Sequence, residues 1–417
     1  MRRVVATCVW VGLAAAIAVG AAACGGGDSS TGNGHRAHAT TTSAASRPAR
    51  VGPFGMFGVV FDPTGSGGAP LPAATIDAQA AAMARAGVES VRVPFNWAAI
   101  EPRAGAFDWQ QTDAVVQAAA EHGLHLLPNL IYTPAWASSR PHSATPYLYA
   151  PSDPRRFARF ATALVARYGA SGTFWRDHPT LPKDPVSEWQ IWNEQGFPKF
   201  WRSPPWPRTY TTLLRAAYVA IHRAEPNATV IAGSLVDSGP QTQWAEMSAL
   251  YRAGAKPYFD AISVHPFVVD PKSVSHTVAL MAKIVAFVRR VMKAHGDGQK
   301  PILLTEVTWP ADVGIVPRRR LLGLETTPAG ARARLAAAYA FLSRHGRALG
   351  ITQAYWFTWA STFDRHDPAA EVSYDFAGLN RITPDGRFVP QPILRTYATT
   401  AARFEGCAKG ENARTCR

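Results

Sequence analysis

The stretch Pro301-Ile302-Leu303-Leu304-Thr305 is a short apolar run, and an alanine-rich helical pattern follows it over residues 330–345. Apolar side chains at consecutive positions are typical of a strand that is buried on both faces of a parallel sheet. Similar runs occur elsewhere in the chain, and a helical pattern follows each of the earlier ones. We therefore predict eight strands, over residues 57–61, 90–94, 124–130, 186–192, 229–233, 259–265, 301–305 and 352–359.

The predicted helices alternate with these strands and cover residues 76–86, 112–122, 155–168, 210–224, 241–253, 277–295 and 330–345. Eight strands with a helix predicted between each consecutive pair, over about 310 residues, favour a closed (β/α)8 barrel, or TIM barrel, over an open doubly wound sheet. Of the 417 residues, 47% are hydrophobic and 17% are charged, so the chain can bury a large core. We predict a single α/β barrel domain over residues 51–405.

The amino-terminal segment has a composition unlike that of the predicted barrel. Arg2 and Arg3 precede an apolar stretch that ends in Ala21-Ala22-Ala23-Cys24, which predicts a signal peptide over residues 1–24. The end of this stretch resembles a bacterial lipobox, although that motif usually has a large aliphatic residue where Ala21 stands. The resemblance implies a lipidated Cys24, and an uncleaved membrane anchor is the alternative. Residues 25–50 are rich in Gly, Ser, Thr and Ala, which predicts a disordered, flexible linker.

Export would place the protein outside the cytoplasm or in the cell envelope, on the outer face of the membrane if Cys24 is lipidated. In that oxidising compartment a Cys407–Cys416 disulfide would tie down the tail formed by residues 406–417. No cysteine or histidine spacing suggests zinc, and we expect no metal. The formal charge of +14 fits either attraction to anionic envelope polymers or an arginine-rich composition. No nucleic-acid-binding motif accompanies the charge, so we expect no nucleic-acid partner.

Two glutamates stand at the carboxyl ends of predicted strands. Glu194 follows Trp189-Gln190-Ile191-Trp192-Asn193 at the end of the fourth strand, and Glu306 follows Leu303-Leu304-Thr305 at the end of the seventh. In a (β/α)8 barrel the carboxyl ends of all strands meet at one face, where the active sites of such enzymes lie. A pair of carboxyl groups cleaves glycosidic bonds, one by donating a proton and the other by attacking the sugar or activating water. A structural salt bridge is the alternative role for each glutamate.

Asn193-Glu194 after the fourth predicted strand and Glu306 after the seventh resemble the signature of the retaining (β/α)8 glycoside hydrolases. This clan includes cellulase-like enzymes, β-xylosidases and exopolysaccharide hydrolases, and the likeness is greatest to the β-xylosidase-related and exopolysaccharide-hydrolase groups. It covers essentially the whole predicted barrel. The resemblance implies that Glu194 is the catalytic acid/base and Glu306 the nucleophile. It also implies retention of anomeric configuration, a carboxyl separation of roughly 5–5.5 Å, and no metal or organic cofactor.

Three further polar residues match the clan around the expected site. Ser90-Val91-Arg92-Val93-Pro94 resembles the clan's second strand, which places Arg92 near the nucleophile, and His265 ends a stretch that resembles the sixth. The resemblance implies that Asn193 hydrogen-bonds the sugar 2-hydroxyl. We expect Arg92 to lower the pKa of Glu306, and an apolar setting or the charge of Glu306 to raise the pKa of Glu194. A capping asparagine, a structural arginine and a core histidine are the alternatives.

Aromatic side chains follow several predicted strands and are candidates for lining a sugar-binding cleft. Tyr355-Trp356-Phe357-Thr358-Trp359 resembles the clan's eighth strand, which usually carries a tryptophan beneath the sugar at the cleavage point. We expect Trp359 to stack on the sugar and Trp356 to lie in the core. Further stacking candidates are Trp97, Trp136 and Trp309. Core packing is the alternative for each of these rings.

The resemblance to the clan implies a retaining glycosidase that hydrolyses β-glycosidic bonds of an oligo- or polysaccharide, and the signal peptide predicts that it acts outside the cytoplasm. Two alternatives stay open: a catalytically silent carbohydrate-binding lipoprotein, and a transglycosylase that remodels envelope glycans with the same carboxylates. The sequence does not decide which sugar and linkage are recognised, whether cleavage is internal or terminal, or the oligomeric state.

Overall fold

The computed structural model describes residues 50–65, 68–237, 241–269, 272–318, 321–362 and 372–406. The predicted signal peptide with Cys24, nearly all of the predicted linker and the Cys407–Cys416 pair lie outside the described residues, so these features stay predictions. None of the helices in the described ranges is long and apolar enough to cross a membrane.

Eight parallel strands close into a barrel in chain order, and the first strand pairs with both the second and the eighth. They are β1 (Gly58–Val60), β2 (Ser90–Asn96), β3 (His125–Ile131), β4 (Glu188–Ile191), β5 (Thr229–Leu235), β6 (Ala261–Val264), β7 (Ile302–Val307) and β8 (Ile351–Trp356). Each strand overlaps a predicted one. The predicted (β/α)8 barrel is therefore confirmed.

The helices of the described residues include every predicted one. They are α1 (Ala73–Arg85), α2 (Trp97–Ile100), α3 (Gln110–His122), α4 (Pro154–Tyr168), α5 (Thr173–Asp177), α6 (Trp206–Ala224), α7 (Gln243–Arg252), α8 (Val274–Ala294), α9 (Pro328–Leu349) and α10 (Pro392–Glu405). In α4, Phe157, Phe160 and Leu164 recur at helical spacing and are fully buried. The Asp153 side chain caps this helix by accepting from the backbone N–H of Arg155.

Two parts of the fold were not predicted as separate elements. Strands β9 (Ala360–Thr362), β10 (Asn380–Ile382) and β11 (Phe388–Pro390) follow the last barrel strand in the chain and form a separate, small three-stranded sheet. Helix α10 follows this sheet and packs against α9. Strands of three residues are too short to show a periodic pattern in the sequence.

An apolar layer fills the middle of the barrel. Its members are Val60, Leu127, Ile231, Ala261, Leu303 and Tyr355. Because side chains alternate along a strand, the residue two positions further on also points inward, one layer closer to the carboxyl ends. Thr305 and Ser263 occupy such positions and are fully buried. The interior therefore becomes polar toward the end at which the predicted site lies.

Candidate active site

Glu194, His265 and Glu306 lie together at the carboxyl end of the barrel. Glu306 is in β7, whereas Glu194 and His265 follow β4 and β6. A carboxylate oxygen of each glutamate and a ring nitrogen of His265 lie within 4.8 Å of one another. The two glutamates are 6% and 8% exposed, so both carboxyl groups are largely withdrawn from water. The structure thus brings the two residues predicted to be catalytic to one place.

The backbone that carries Glu194 has an uncommon conformation. Trp192 and Glu194 have φ angles of 72° and 44°, in the left-handed region that non-glycine residues seldom adopt. The Trp192 ring is fully buried, and its Nε1 donates to the Phe200 carbonyl at 3.0 Å. Backbone strain of this kind persists where the surrounding packing fixes it, and it clusters at functional sites. Here it sets the direction of the Glu194 side chain.

Arg92 connects Glu306 to the loop that carries Glu194. Its Nη1 donates to Glu306 Oε1 at 2.8 Å, and its Nη2 donates to Asn193 Oδ1 at 2.7 Å. Its Nε donates to Gln190 Oε1 at 2.8 Å. The planar guanidinium therefore fixes three side chains from two strands at once.

The pKa of Glu306 reflects two opposing effects. Burial raises the pKa of Glu306 above its ordinary value, because the ionised carboxylate loses its hydration. The positive charge of Arg92 and its hydrogen bond act in the opposite direction. The expected lowering by Arg92 is therefore present, but burial outweighs it.

His265 is an uncharged ring between the two glutamates. Its Nδ1 lies 2.7 Å from Glu194 Oε1, and its Nε2 lies 3.0 Å from Thr305 Oγ1. Burial lowers the pKa of His265 to about 3, with a further contribution from the charge of Arg92. A neutral imidazole has one donor and one acceptor nitrogen. The ring can therefore donate to an ionised Glu194 or accept from a protonated one, with the hydroxyl of Thr305 serving the other nitrogen in both cases.

Asn193 is held with its amide oxygen turned toward the barrel. Its Oδ1 accepts from Arg92 Nη2 and from Ser234 Oγ, the latter at 3.2 Å. Both hydrogen bonds use the oxygen, which leaves the amide NH2 oriented as a donor. This orientation suits the predicted contact with a sugar hydroxyl.

Three of the tryptophans expected to stack on a sugar lie in the core. Trp97, Trp309 and Trp359 are 0%, 1% and 1% exposed. Trp97 stacks on Phe160 with ring centroids 5.5 Å apart, and Trp359 Nε1 donates to Gln79 Oε1 at 2.9 Å. A ring enclosed on all sides has no free face for a sugar. The expectation for these three residues is therefore corrected, since their apolar surface is used for packing.

Trp136 differs from those three because it is only half-buried. Its Nε1 donates to the Glu101 carbonyl at 2.9 Å, and the Arg156 guanidinium lies 5.7 Å from its ring centroid. These contacts fix the ring at the end of β3 and leave part of it exposed.

Phe357 directly follows β8, and its aromatic ring reaches the barrel interior at the carboxyl end. It is half-buried, packs against the apolar layer described above, and meets the edge of Tyr374 with ring centroids 5.4 Å apart. It follows Tyr355 by two positions, so strand alternation turns it inward while Trp356 points outward. This alternation is a sequence signal that could have identified Phe357 in place of Trp359.

Several polar residues of the site were not predicted. Asn129 Oδ1 accepts from Arg92 Nη2 at 3.0 Å when its amide is oriented to satisfy both neighbours. Gln190 Nε2 donates to Ser234 Oγ at 3.0 Å, and Thr305 and Ser263 contact each other through their hydroxyls. These side chains point inward from neighbouring strands, and they form a continuous hydrogen-bonded layer beneath the two glutamates.

Two groups of side chains in the described residues are close enough to hold a metal ion. One is Glu194, His265 and Glu306, and the other is Asp77, Glu121 and His122 on the outside of the barrel. In the first group Arg92 already bonds Glu306 Oε1, and its fixed positive charge opposes a second cation. In the second group His122 Nε2 is paired with Asp77 Oδ1 at 2.7 Å, at a partly exposed surface.

Comparison with known proteins gives two kinds of similarity. A family model of the glycoside hydrolase family 42 β-galactosidases matches residues 70–143. This match begins just before α1, includes Arg92, and ends before Glu194. No curated protein sequence matches the chain.

Solved structures of glycoside hydrolases are similar to the barrel. A family 39 glycoside hydrolase from Bacteroides cellulosilyticus WH2 matches with 18% identity and a TM-score of 0.57, over 84% of this chain and 64% of that one. An exo-β-1,4-mannosidase from Opitutaceae bacterium strain TAV5 has 18% identity and a TM-score of 0.55, over 87% and 62%. A family 5 enzyme from Bifidobacterium longum, in complex with Manβ1-4GlcNAc, has 14% identity and a TM-score of 0.55, over 86% and 84%.

The resemblance to the (β/α)8 glycoside hydrolases is therefore confirmed, both by the family model and by the closed barrel shared with these structures. The chain spans less than two thirds of the length of the family 39 enzyme and of the mannosidase. At these identities the structural likeness establishes the fold, and it specifies neither an activity nor a substrate.

Proposed function

We propose that the protein is a retaining glycoside hydrolase that cleaves β-glycosidic bonds of an oligo- or polysaccharide by double displacement. The observation that carries the proposal is the juxtaposition of Glu194 and Glu306, with carboxylate oxygens within 4.8 Å of each other. Retaining enzymes have carboxyl groups roughly 5–5.5 Å apart, whereas inverting enzymes need roughly 6.5–9.5 Å to admit a water molecule. The short separation favours direct attack by one carboxylate on the sugar.

In the first step Glu306 attacks the anomeric carbon, and Glu194 donates its proton to the departing glycosidic oxygen. Arg92 favours the ionised form of Glu306 and opposes the effect of burial by hydrogen-bonding Oε1. The other carboxylate oxygen, Oε2, is then the one left to attack. The NH2 group of Asn193 donates to the sugar 2-hydroxyl, a contact that strengthens as positive charge develops on the ring.

The first step converts the Glu306 carboxylate into a glycosyl ester, which removes the negative charge that favours a protonated Glu194. In the second step Glu194 accepts a proton from water, the water oxygen attacks the anomeric carbon, and the ester bond breaks so that Glu306 leaves as a carboxylate. His265 can pair with Glu194 before and after this change, because its neutral ring offers Nδ1 as acceptor or donor. Glu194 gives up one proton in the first step and regains one from water in the second, so the site returns to its starting protonation state.

The substrate and the location are further parts of the proposal. The described site contains half-buried aromatic surface at Phe357, which suits the C–H face of a pyranose ring. The amino-terminal sequence supports export, with attachment to the membrane through a lipidated Cys24. A carbohydrate outside the cytoplasm is therefore the proposed partner.

Hydrolysis by the purified protein on β-glucans, xylans, β-mannans and bacterial exopolysaccharides tests this proposal, beside Glu194→Ala and Glu306→Ala. We expect new reducing ends from the wild type alone. With an aryl β-glycoside and azide, Glu306→Ala should form the α-glycosyl azide and Glu194→Ala the β-glycosyl azide, because azide replaces the nucleophile in one and water in the other. Transfer to sugar acceptors without hydrolysis would indicate a transglycosylase, and binding without turnover would indicate a carbohydrate-binding lipoprotein.

A further inference from the structure

The first turn of α7 lies directly behind the loop that carries Glu194. Glu246, in this turn, is 0% exposed, and its Oε2 accepts from the backbone N–H of Val236 at 3.0 Å, just past the end of β5. Its Oε1 approaches the backbone of Gly196 so closely that a Cβ there would lie 1.7 Å from it. Glu246 therefore contacts both the loop after β4 and the loop after β5.

The same turn also reaches the end of β6. Gln243 Nε2 donates to the backbone carbonyl of His265 at 3.1 Å, and Gln243 is 1% exposed. His265 in turn contacts Glu194 through Nδ1. The turn thus supports Glu194 from two sides, through the backbone two residues beyond it and through its histidine partner.

The surroundings of Glu246 do not suit a negative charge. Among the described residues, no Lys, Arg or His forms an ion pair with Glu246, and its Oε1 is buried without a hydrogen-bond partner. The charged groups that act on it are Glu194 and Asp237, both acidic. Burial, reinforced by these two carboxylates, raises the pKa of Glu246 well above its ordinary value. Gln195 Oε1 is a second buried oxygen without a donor in the same loop.

We propose that Glu246 is a positioning residue for the catalytic acid: an uncharged carboxylic acid that braces the Glu194 loop without placing a second negative charge behind it. The inference rests on the proposed function of Glu194. A protonated carboxyl keeps Oε2 as the acceptor for the N–H of Val236, and it does not need the cation or donor that the described residues fail to supply at Oε1. A carboxylate would supply only acceptors and would disturb the protonation of Glu194.

An infrared measurement tests the charge state independently of activity. The difference spectrum of wild type minus Glu246→Gln at neutral pH should contain the C=O band of a protonated carboxylic acid. Loss of carboxylate bands alone would overturn the proposal. Glu405→Gln is a matched control, because Glu405 is 2% exposed and burial raises its pKa to about 9. Glu405 is the last residue of α10 and lies away from the loops that carry Glu194 and His265.

Kinetics tests the positioning role. Glu246→Gln should leave the basic limb of the kcat/KM pH profile in place, since one uncharged group replaces another. A shift of that limb to lower pH would mean that a negative charge had been removed beside Glu194, and would refute the inference. Glu246→Ala should lower kcat about tenfold or more for a substrate with a poor leaving group, and much less for a dinitrophenyl glycoside, which needs no proton donor.

A purely structural role for Glu246 would lower both rates in Glu246→Ala alike, which would contradict the proposal. Glu405→Ala serves as the control for loss of stability, and it should affect both substrates equally. If the wild type hydrolyses no glycoside, the proposed function fails, while the infrared result still decides the charge of Glu246. The two failures are therefore distinguishable.

Discussion

Arg92 Nη1 and Glu306 Oε1 lie 2.8 Å apart, in an ion pair whose side chains are only 4% and 11% exposed. An ion pair enclosed in this way gains little net stability over an apolar pair, but removal of one partner leaves an uncompensated charge. The same guanidinium also holds Gln190 and Asn193. Stability and the ionisation of Glu306 therefore depend on the same residue.

Arg92→Ala should raise the pKa of Glu306 further, because the positive charge and the hydrogen bond of Arg92 would no longer oppose burial. In the proposed mechanism Glu306 must be ionised to attack the sugar, so the acidic limb of the kcat/KM pH profile should move to higher pH. The free energy of unfolding at neutral pH should fall by about 3–5 kcal/mol. Denaturant unfolding and the pH profile measure the two effects. Arg155→Ala, at an exposed ion pair with Asp153, is the control and should change neither.

His265 should stay uncharged around neutral pH. Burial lowers the pKa of His265 to about 3 in the folded protein, against an ordinary value of 6.5. Its ring resonances in NMR spectra should therefore not titrate over roughly pH 5–8. The depressed pKa also means that stability is lost as pH falls from the ordinary value toward 3, because the unfolded chain binds the proton first. A ring that titrates near its ordinary value would contradict the assigned burial.

Substitutions of Phe357 and Trp359 should have different effects, the first on substrate binding and the second on stability. Phe357→Ala should lower kcat/KM about tenfold, by loss of a stacking surface, with a small change in thermal stability. Trp359→Ala should instead lower the free energy of unfolding by about 3–5 kcal/mol, because it empties a core site. Kinetics and thermal denaturation of both variants make the comparison. If Trp359→Ala folds normally and loses substrate binding, the buried position given to its ring is wrong.

The sequence predicted the barrel and the clustering of Glu194 and Glu306 at one end of it, because both depend on short-range patterns. A strand that ends in Asn193-Glu194 and one that carries Glu306 must place both residues at the same face of a parallel barrel, whatever the loops do. Arg92 and His265 were placed near them for the same reason. The retaining mechanism and the roles of these residues stay proposals.

The stacking predictions for Trp97, Trp309 and Trp359 failed for a physical reason. The sequence does not distinguish a ring that stacks on a sugar from one that packs in the core, as Trp97 does on Phe160, because both occur near strand ends. Whether a face is exposed depends on loops and helices far apart in the chain. Glu246 was missed for a related reason: a glutamate in the first turn of a helix usually serves the helix dipole, and only the folded structure shows Gly196 against it.

The loop after β7 contains two buried acidic residues that should make stability depend on pH. Asp312 and Glu325 are 0% and 8% exposed, and a carboxyl oxygen of each lies 2.8 Å from the hydroxyl oxygen of Ser373, which has one proton to donate. Burial, with a contribution from Glu325, raises the pKa of Asp312 from 3.8 to about 6. The folded protein therefore binds a proton at higher pH than the unfolded chain does. It should gain about 1–3 kcal/mol as pH falls through that value, and lose it as pH rises again.

Thermal denaturation of the wild type and Asp312→Asn between neutral and mildly acidic pH measures this effect. The wild type should gain stability relative to the variant as pH is lowered, because asparagine has no proton to bind. Ser373→Ala should move the gain to higher pH, since the hydroxyl of Ser373 lowers the pKa of Asp312 and its loss leaves burial less opposed. If the stability of all three proteins depended on pH in the same way, Asp312 would be ionised in the folded state without loss of stability. That result would contradict its burial.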